Sequence, residues 1–327
     1  MEMIQLKNNF AHEYIPTAFE FMDILYYRDE NPSNEDQKLF LSLQKGYLGE
    51  LELLQFIKEY GLDHWRTITN YWGDYNGRFE SDVILLTSMG CYVFEVKNYA
   101  GKFEYRGGHS YIDGNELTSD CVFQTRRSYK NIRNLVQGEI PRSNVHGVLA
   151  FVGEHSDVFV DESVDDIHVV KRSGLKRFIQ DIAREDHSFS GRGIPVQKIV
   201  RKLEGRAVSN PFQMDPLAKE EVEVLNKGIA CSVCRNFDVR ITRKFVSCSC
   251  GNVENRRDAM VRTICEYGTL TYDRPLVCRD LYSFFGDDTS YTFLNMILKT
   301  YFTREGNGNS TYYVNNGTYL HTEYFSG

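Results

Sequence analysis

The chain has 327 residues, a formal net charge of −7, 42% hydrophobic and 25% charged residues, which is typical of a globular protein and excludes a largely disordered one. The negative charge argues against a uniformly basic nucleic-acid binder, and the length allows two or three domains. No run of about 18 apolar residues occurs, and the first residues lack the basic-then-apolar pattern of a signal peptide. We therefore expect a soluble cytoplasmic protein without a membrane-spanning segment.

The first predicted element is a helix over residues 34–61, because apolar residues recur there at helical spacing. The residues of this apolar stripe are Leu43, Tyr47, Leu54 and Ile57. Glu50 falls on the same stripe, so the helix is expected to carry one carboxylate towards the core.

A β-hairpin follows, with strands at residues 82–86 and 91–96 joined by the turn-like sequence TSMG. A weaker strand pattern precedes it at residues 65–70. Because side chains alternate along a strand, Glu95 and Lys97 share one face. Two charges on an apolar strand cost free energy unless they pair, bind an ion or face a wet cleft.

The pattern continues with a helix over residues 120–137, strands at 145–152 and 167–170, and a helix over 175–183. A connecting helix is predicted at residues 194–203. Helices alternating with strands in this way indicate an α/β fold.

If the hairpin pairs in the simplest register, Asp82 and Glu95 approach on one face, with Lys97 beside them and Glu50 reaching in from the helix. Carboxylate oxygens are preferred ligands of Mg²⁺ and Mn²⁺, and a neighbouring ammonium can offset developing charge, so the group suits phosphodiester hydrolysis. Taken singly, each residue has another interpretation: a surface ion pair for Glu95 and Lys97, a turn residue for Asp82, and a solvated helix residue for Glu50.

The order of these motifs resembles the nuclease-related domain (NERD) family of the PD-(D/E)XK nuclease superfamily. The resemblance covers about residues 38–180 and is carried by the segments KGYLGELE at 45–52, ESDVILL at 80–86 and EVKNYAGK at 95–102 together with Gln124. Ser81 stands where the superfamily motif has Pro, which is dispensable for the chemistry.

The resemblance implies a restriction-endonuclease-like core, a mixed sheet flanked by helices. It also implies that Asp82 and Glu95 are metal ligands, Lys97 the catalytic lysine, and Glu50 an outer ligand or positioning group. Gln124 would contact phosphate or the lysine, although a helical Gln is also commonly just solvated.

Arg126, Arg127, Lys130 and Arg133 lie on the same predicted helix as Gln124 and have the spacing of a basic face. Such a face suits contacts to a phosphate backbone, and it is equally the solvent side of an ordinary amphipathic helix.

Four cysteines form two closely spaced pairs, Cys231 with Cys234 and Cys248 with Cys250. Four thiolates bind Zn²⁺ tetrahedrally and leave no open position, so the ion would be structural. The arrangement resembles a zinc ribbon; two disulfides are the alternative, disfavoured in a reducing cytosol. Near the cluster lie basic residues that are candidates for nucleic-acid contact: Arg240, Arg243, Lys244, Arg256, Arg257 and Arg262. The other cysteines, in apolar contexts, are interpreted as buried free thiols.

Three helices are predicted at residues 255–267, 276–285 and 290–302, followed by a hairpin whose return strand is 311–314. This order resembles a winged helix. Its third helix carries Lys299 as its one cation, so protein binding or dimerisation is as plausible as DNA reading.

These observations predict five segments: an N-terminal extension (1–37), a nuclease-related domain (38–190), a connecting helix and linker (191–226), a zinc ribbon (227–254) and a winged-helix-like α+β domain (255–327). The leading hypothesis is a metal-dependent nuclease acting on DNA. The alternatives are a non-catalytic nucleic-acid-binding or regulatory protein that keeps the nuclease fold, and a protein-interaction platform that forms a homo-oligomer or binds a protein through its C-terminal domain.

Overall fold

The computed structural model describes residues 2–3, 17–161 and 164–314. It divides into two compact units: Met1–Ala11 with Lys45–Asn210, and His12–Gln44 with Pro211–Gly327. In chain order the helices are α1 (Ala18–Arg28), α2 (Asn34–Tyr60), α3 (Cys121–Leu135), α4 (Arg172–Ser188), α5 (Val196–Glu204), α6 (Lys219–Glu223), α7 (Arg256–Leu270), α8 (Cys278–Phe285) and α9 (Tyr291–Tyr301).

The strands are β1 (Glu2–Met3), β2 (Arg66–Asp74), β3 (Arg78–Leu86), β4 (Cys91–Lys97), β5 (Gly101–Arg106), β6 (His109–Ile112), β7 (Asn115–Glu116), β8 (Val145–Phe151), β9 (Ser156–Val160), β10 (His168–Lys171), β11 (Val239–Ile241), β12 (Phe245–Cys248), β13 (Val253–Asn255), β14 (Thr303–Glu305) and β15 (Tyr312–Val314). The helices and strands predicted from the sequence are confirmed, with ends shifted by a few residues. The stretch between the two cysteine pairs alternates in strand fashion in the sequence and holds β11 and β12, and the structure adds α1, α6, β1, β5–β7, β9 and β13.

The first unit is built on a mixed sheet in the order β1-β2-β3-β4-β8-β10. The predicted hairpin is its centre: β3 and β4 pair antiparallel, with Ile84 opposite Val93 and Val83 opposite Phe94. The strand β8 runs parallel to β4, and Lys97 lies opposite Phe151. The end of β4 that carries Glu95 and Lys97 therefore stays paired with β8 beyond its last pair with β3.

Alternation along the central strands sends side chains into two cores. Val93 and Ile84 pack on one face with Ile132 of α3 and Leu203 of α5. Phe94 and its neighbours pack on the other face with α2 and α4. This is the mixed α/β architecture, with helices flanking the sheet, that the sequence predicts.

A second sheet of the first unit has the order β7-β6-β5-β9, in which β5 and β9 are parallel. It begins directly after β4, where Gly101 adopts a φ of 94°. The chain changes direction sharply there and needs glycine. A Cβ atom at residue 101 would lie only 2.4 Å from the carboxylate of Asp113.

The second unit packs α1 beside helices from the C-terminal part of the chain, with Phe21, Met22, Leu225 and Leu270 in one buried cluster. Its helices α7, α8 and α9 share another core with β12 and β15. A three-stranded antiparallel sheet, β11-β12-β13, precedes α7.

A buried ion network lies inside this second unit. The carboxylate of Glu266 accepts hydrogen bonds from Arg28 at 2.5 Å and from Arg262 at 2.7 Å, and all three side chains are fully buried. Arg262 also pairs with Glu254 at 2.9 Å and donates to the carbonyl of Ala230 at 2.7 Å. The prediction that Arg262 is a candidate for nucleic-acid contact was therefore wrong. Its guanidinium is buried and paired with Glu254 and Glu266, so it is not available to a polyanion.

The three predicted C-terminal helices and the hairpin are present, and β14 pairs with β15. Tyr313 of β15 also pairs antiparallel with Leu276, which lies between α7 and α8. The winged-helix assignment itself stays a prediction. Within the described residues, no helix is both long and apolar enough to cross a membrane.

Candidate active site and metal centre

Lys97 lies at the end of β4 with its ammonium held between two partners. Its Nζ atom donates to Glu95 Oε1 at 2.7 Å and to Gln124 Oε1 at 3.1 Å. Both side chains of the ion pair are largely buried, at 16% exposure for Lys97 and 9% for Glu95. The charges that looked costly on an apolar strand are therefore paired, and the lysine is fixed in position.

Gln124 reaches Lys97 because α3 begins at the right place. Asp120 caps the helix, accepting hydrogen bonds from the amides of Val122 at 2.9 Å and Phe123 at 3.1 Å. The side chain of Gln124 then projects from the first turn of α3 onto the end of β4. Its contact with the lysine is one of the two that the resemblance implies.

Asp82 lies where β3 and β4 stop pairing. The ladder ends with Val83 opposite Phe94, and two residues further along β4 the amide of Val96 donates instead to Asp82 Oδ2 at 2.6 Å. Extending the register by one residue puts Asp82 opposite Glu95, which is the same face of the hairpin. The carboxylate thus occupies the gap between the two strands.

Several carboxyl groups lie close together at this gap, and burial together with their mutual repulsion raises their pKa values. Desolvation and the charges of Glu80 and Glu95 raise the pKa of Glu50 to about 8, against a smaller opposite effect of Lys97. Desolvation, Glu95 and Glu50 also raise the pKa of Asp82 well above its usual value. A divalent cation would relieve this repulsion.

The pKa of Lys97 is also raised, which for an amine favours the charged form. Burial lowers its pKa, but the carboxylates of Glu95 and Asp82 outweigh burial and hold the pKa above its usual range. The amine is therefore fully protonated near neutral pH and acts as a fixed positive charge rather than as a base.

Glu80 belongs to the same group and was missed from the sequence as a site residue. Desolvation and the nearby Glu95 raise its pKa to about 7, although part of the side chain stays exposed to solvent. The signal was its position two residues before Asp82, which puts both carboxylates on the same side of β3.

Glu50 is brought to the strands by close packing of α2. Gly49, which precedes it, is buried, and a Cβ there would lie 2.9 Å from Asn98 Cβ and 3.3 Å from a methyl of Val152. Asn98 Nδ2 also donates to the carbonyl of Lys45 at 2.9 Å. The helix can approach the sheet this closely because residue 49 has no side chain.

This packing predicts opposite effects of alanine at two glycines of α2. Gly46 has open space around its Cβ position, so Gly46→Ala should stabilise the protein by about 0.5–1 kcal/mol through helix propensity. Gly49→Ala should destabilise it by about 1 kcal/mol or more, because the helix must move from Asn98. Urea denaturation measures both; equal stabilisation by the two substitutions would refute the close approach.

The carboxyl groups at the end of the β3–β4 hairpin have the chemistry of a metal site. Glu50, Asp82 and Glu95 offer hard carboxylate oxygens of the kind that Mg²⁺ and Mn²⁺ bind, and their mutual repulsion fits a cation between them. Among the described residues, however, the four cysteines are the one group of three or more His, Cys, Asp or Glu whose ligand atoms all lie within 4.8 Å of one another. The three carboxyls are thus close enough to perturb one another without forming a preassembled three-ligand cage.

The four cysteines meet in the second unit, beside β12. Cys231 Sγ lies 3.6 Å from Cys250 Sγ, and Cys234 Sγ lies 3.5 Å from Cys248 Sγ. Disulfide sulfurs are about 2.05 Å apart, whereas sulfurs around tetrahedral zinc at about 2.3 Å are about 3.8 Å apart. The cluster therefore has the spacing of a zinc site, and its thiols are free.

Hydrogen bonds in the cluster lower the pKa of one thiol, Cys231, and raise the pKa of another, Cys234. Burial raises the pKa of Cys231, but the amides of Cys234 and Val233 donate to its sulfur and outweigh burial, which lowers the pKa to about 6. A thiolate is the form that binds zinc. The remaining predicted buried thiols are confirmed for Cys91, Cys121 and Cys265, and Cys278 is half-buried.

The predicted nucleic-acid-contact residues differ in their exposure and in their contacts within the protein, and exposed Arg127 also donates to the carbonyl of Arg78. Arg127, Lys130, Arg243, Lys244 and Arg257 are exposed.

Two others are engaged within the protein. Arg126 pairs with Asp166 at 2.8 Å, and Arg256 donates to the carbonyl of Asp288 at 3.2 Å while its guanidinium lies 4.6 Å from the ring of Phe293. Both therefore have structural roles that compete with phosphate contact.

The part of the chain that holds this site matches a known protein family. Residues 45–152 match the family described as nuclease-related domain, which takes in α2 from Lys45 through the end of β8. The chain carries a nuclease-related domain. The match lies within the region that the sequence motifs indicated, and it contains every proposed residue of the acidic site. No curated protein and no solved structure matched the chain.

Proposed function

We propose that the chain is a metal-dependent nuclease that hydrolyses the phosphodiester bonds of DNA. The observation that carries the proposal is Lys97, a buried ammonium fixed by Glu95 and Gln124 next to the carboxyl groups of Asp82 and Glu50, within a nuclease-related domain. Acidic oxygens beside one amine suit a reaction in which negative charge develops on a phosphate.

In this proposal Asp82 and Glu95 hold Mg²⁺ or Mn²⁺, and Glu50 completes or orients the set. When bound, the ion would polarise the phosphate and lower the pKa of a water molecule. Lys97 donates hydrogen bonds to the attacked phosphate or to the attacking water and offsets developing charge. Glu95 and Gln124 keep the ammonium aimed, because each accepts one of its three N–H groups.

The four cysteines would hold a structural Zn²⁺, with β11–β13 as the ribbon. The exposed Arg243 and Lys244, which lie at the β11–β12 turn, would contact the nucleic-acid backbone. The helices α7–α9 with the β14–β15 hairpin form the proposed winged helix, whose partner is DNA or a protein. Pairing of Leu276 with β15 supports this, since it extends the hairpin to a third strand.

The test is incubation of the protein with linear and with circular double-stranded DNA, with single-stranded DNA and with RNA, in Mg²⁺, in Mn²⁺ and in chelator. We expect cleavage of DNA that requires the divalent ion and that Glu95→Ala abolishes. Salt-sensitive binding without turnover in either metal would refute the enzyme and would leave the non-catalytic DNA-binding alternative.

A further inference from the structure

The first unit also contains a groove that is lined by two arginines and lies away from Lys97. The groove has a volume of about 340 Å³, lies at the N-terminal ends of β8 and β10, and is lined by Tyr129 and Arg133 of α3. The loop residues Arg142 and Ser143, the start of β8 and residues 165–168 at the start of β10 complete the lining. Its volume is at the lower end of the range of small-ligand sites.

The guanidinium groups of Arg133 and Arg142 donate hydrogen bonds to neutral acceptors only, among the residues that the structure describes. Arg133 donates through Nη1 to the hydroxyl of Tyr129 at 2.7 Å, and Arg142 donates to the side-chain amide oxygen of Gln137 at 2.8 Å. These acceptors are neutral, and among the described residues neither guanidinium forms an ion pair. In addition, the Nε atom of Arg133 is buried without a hydrogen-bond acceptor. The guanidinium of Arg133 also lies 4.8 Å over the ring of Tyr129, which fixes its position.

Two acidic residues, Asp165 and Asp166, also line the groove and affect which ligands it can bind. Asp166 is already paired with Arg126 at 2.8 Å, whereas Asp165 is exposed. The rings of His146 and His168 lie 5.6 Å apart and turn away from α3: His146 stacks on Tyr92 at 4.7 Å, and His168 lies 5.4 Å from the ring of Phe178 of α4. The groove thus offers two guanidinium groups for a phosphate and a carboxylate that can accept from an amino group.

The groove and the acidic site lie at opposite ends of the same elements. Lys97 pairs with Phe151 at one end of β8, and the groove residue Val145 starts the other end, about 20 Å away at the rise of a strand. Gln124 and Arg133 are likewise about 13 Å apart along α3. A ligand in the groove therefore does not overlap the site of hydrolysis.

We propose that this groove binds a phosphate group of a nucleotide-sized ligand through the guanidinium groups of Arg133 and Arg142. Planar guanidinium groups suit phosphate because they donate two hydrogen bonds in parallel. The phosphate belongs either to a free mononucleotide or to the 5′ end of a nucleic-acid chain, which present the same chemistry.

Calorimetric titration of the intact protein tests the proposal with inorganic phosphate, a nucleoside 5′-monophosphate, and one oligonucleotide with and without its 5′ phosphate. We expect binding of the phosphorylated ligands that Arg133→Gln/Arg142→Gln weakens at least tenfold. Arg142→Gln alone should weaken it several-fold, and this exposed side chain can be changed without loss of fold. Arg177→Gln removes an equal charge from a side chain that is 87% exposed on α4 and should leave affinity within twofold.

Tighter binding of the mononucleotide identifies a free nucleotide as the ligand, and tighter binding of the 5′-phosphorylated oligonucleotide identifies a chain end; either supports the phosphate site. The catalytic variant Lys97→Ala should retain this binding, which separates the groove from the proposed nuclease site. No binding of any phosphorylated ligand at millimolar concentration, or binding that the arginine substitutions leave unchanged, would overturn the proposal.

Discussion

Replacing Lys97 by alanine is expected to lower the rate of DNA cleavage by at least about 10²–10³-fold, the loss that follows removal of one preorganised donor to a transition state. The ammonium is held by Glu95 and Gln124 in a largely buried position, so water cannot substitute for it at the same place. DNA binding should change little by comparison, because one buried amine contributes little to contacts along the backbone. Cleavage rate and binding are measured separately, by single-turnover kinetics and fluorescence anisotropy.

Two further substitutions make this test specific. Gln124→Ala removes one of the two acceptors of the ammonium and should give a smaller loss than Lys97→Ala, since Glu95 remains. Lys176→Ala removes an exposed ammonium of α4, on the opposite side of the sheet from α3, and should leave the rate unchanged. Cleavage by Lys97→Ala within threefold of the original rate would remove the lysine from the mechanism.

Removal of zinc is expected to unfold the segment around β11–β13. These strands have three or four residues each and bury little apolar surface, with Val246 as their one fully buried side chain. Structural zinc contributes about 10–16 kcal/mol of apparent binding free energy in small cysteine-rich folds, so its loss cannot be offset locally. The unfolding would also expose the Ala230 carbonyl that Arg262 binds at 2.7 Å.

The measurement is zinc content by mass spectrometry, with limited proteolysis of the same samples. We expect one zinc per chain, and both loss of zinc and cleavage between residues 231 and 255 in Cys234→Ser. Cys278→Ser is the matched control, because this half-buried thiol lies outside the cluster. Protein that purifies without zinc and resists proteolysis in chelator would show that the four thiols are not a metal site.

The local part of the acidic site could be predicted from the sequence, because it depends on contacts between near neighbours. Alternation along the hairpin assigns Glu95 and Lys97 to one face, and a short turn fixes the register that sets Asp82 opposite Glu95. The capping Asp120 defines where α3 begins and hence where Gln124 points. Each of these features follows from fewer than thirty residues of sequence.

What the sequence could not show depends on contacts between distant residues. Arg262 looked like a surface cation because its neighbours are basic, but its partner Glu266 also binds Arg28, 238 residues away. The sheet of β5–β7 and β9 was not predicted, since its parallel pair joins segments about fifty residues apart. Glu80 was missed because a charged residue near the start of a strand has the pattern of an ordinary exposed edge.

Asp82 and Glu95 are proposed to share one divalent ion next to Lys97. Soaking crystals of the protein in Mn²⁺ and recording anomalous diffraction tests this directly, and the zinc expected at the four cysteines serves as an internal positive control. We expect a manganese peak bonded to carboxylate oxygens of both Asp82 and Glu95, which Glu95→Ala removes. A clear zinc peak with no manganese at these carboxylates would contradict it.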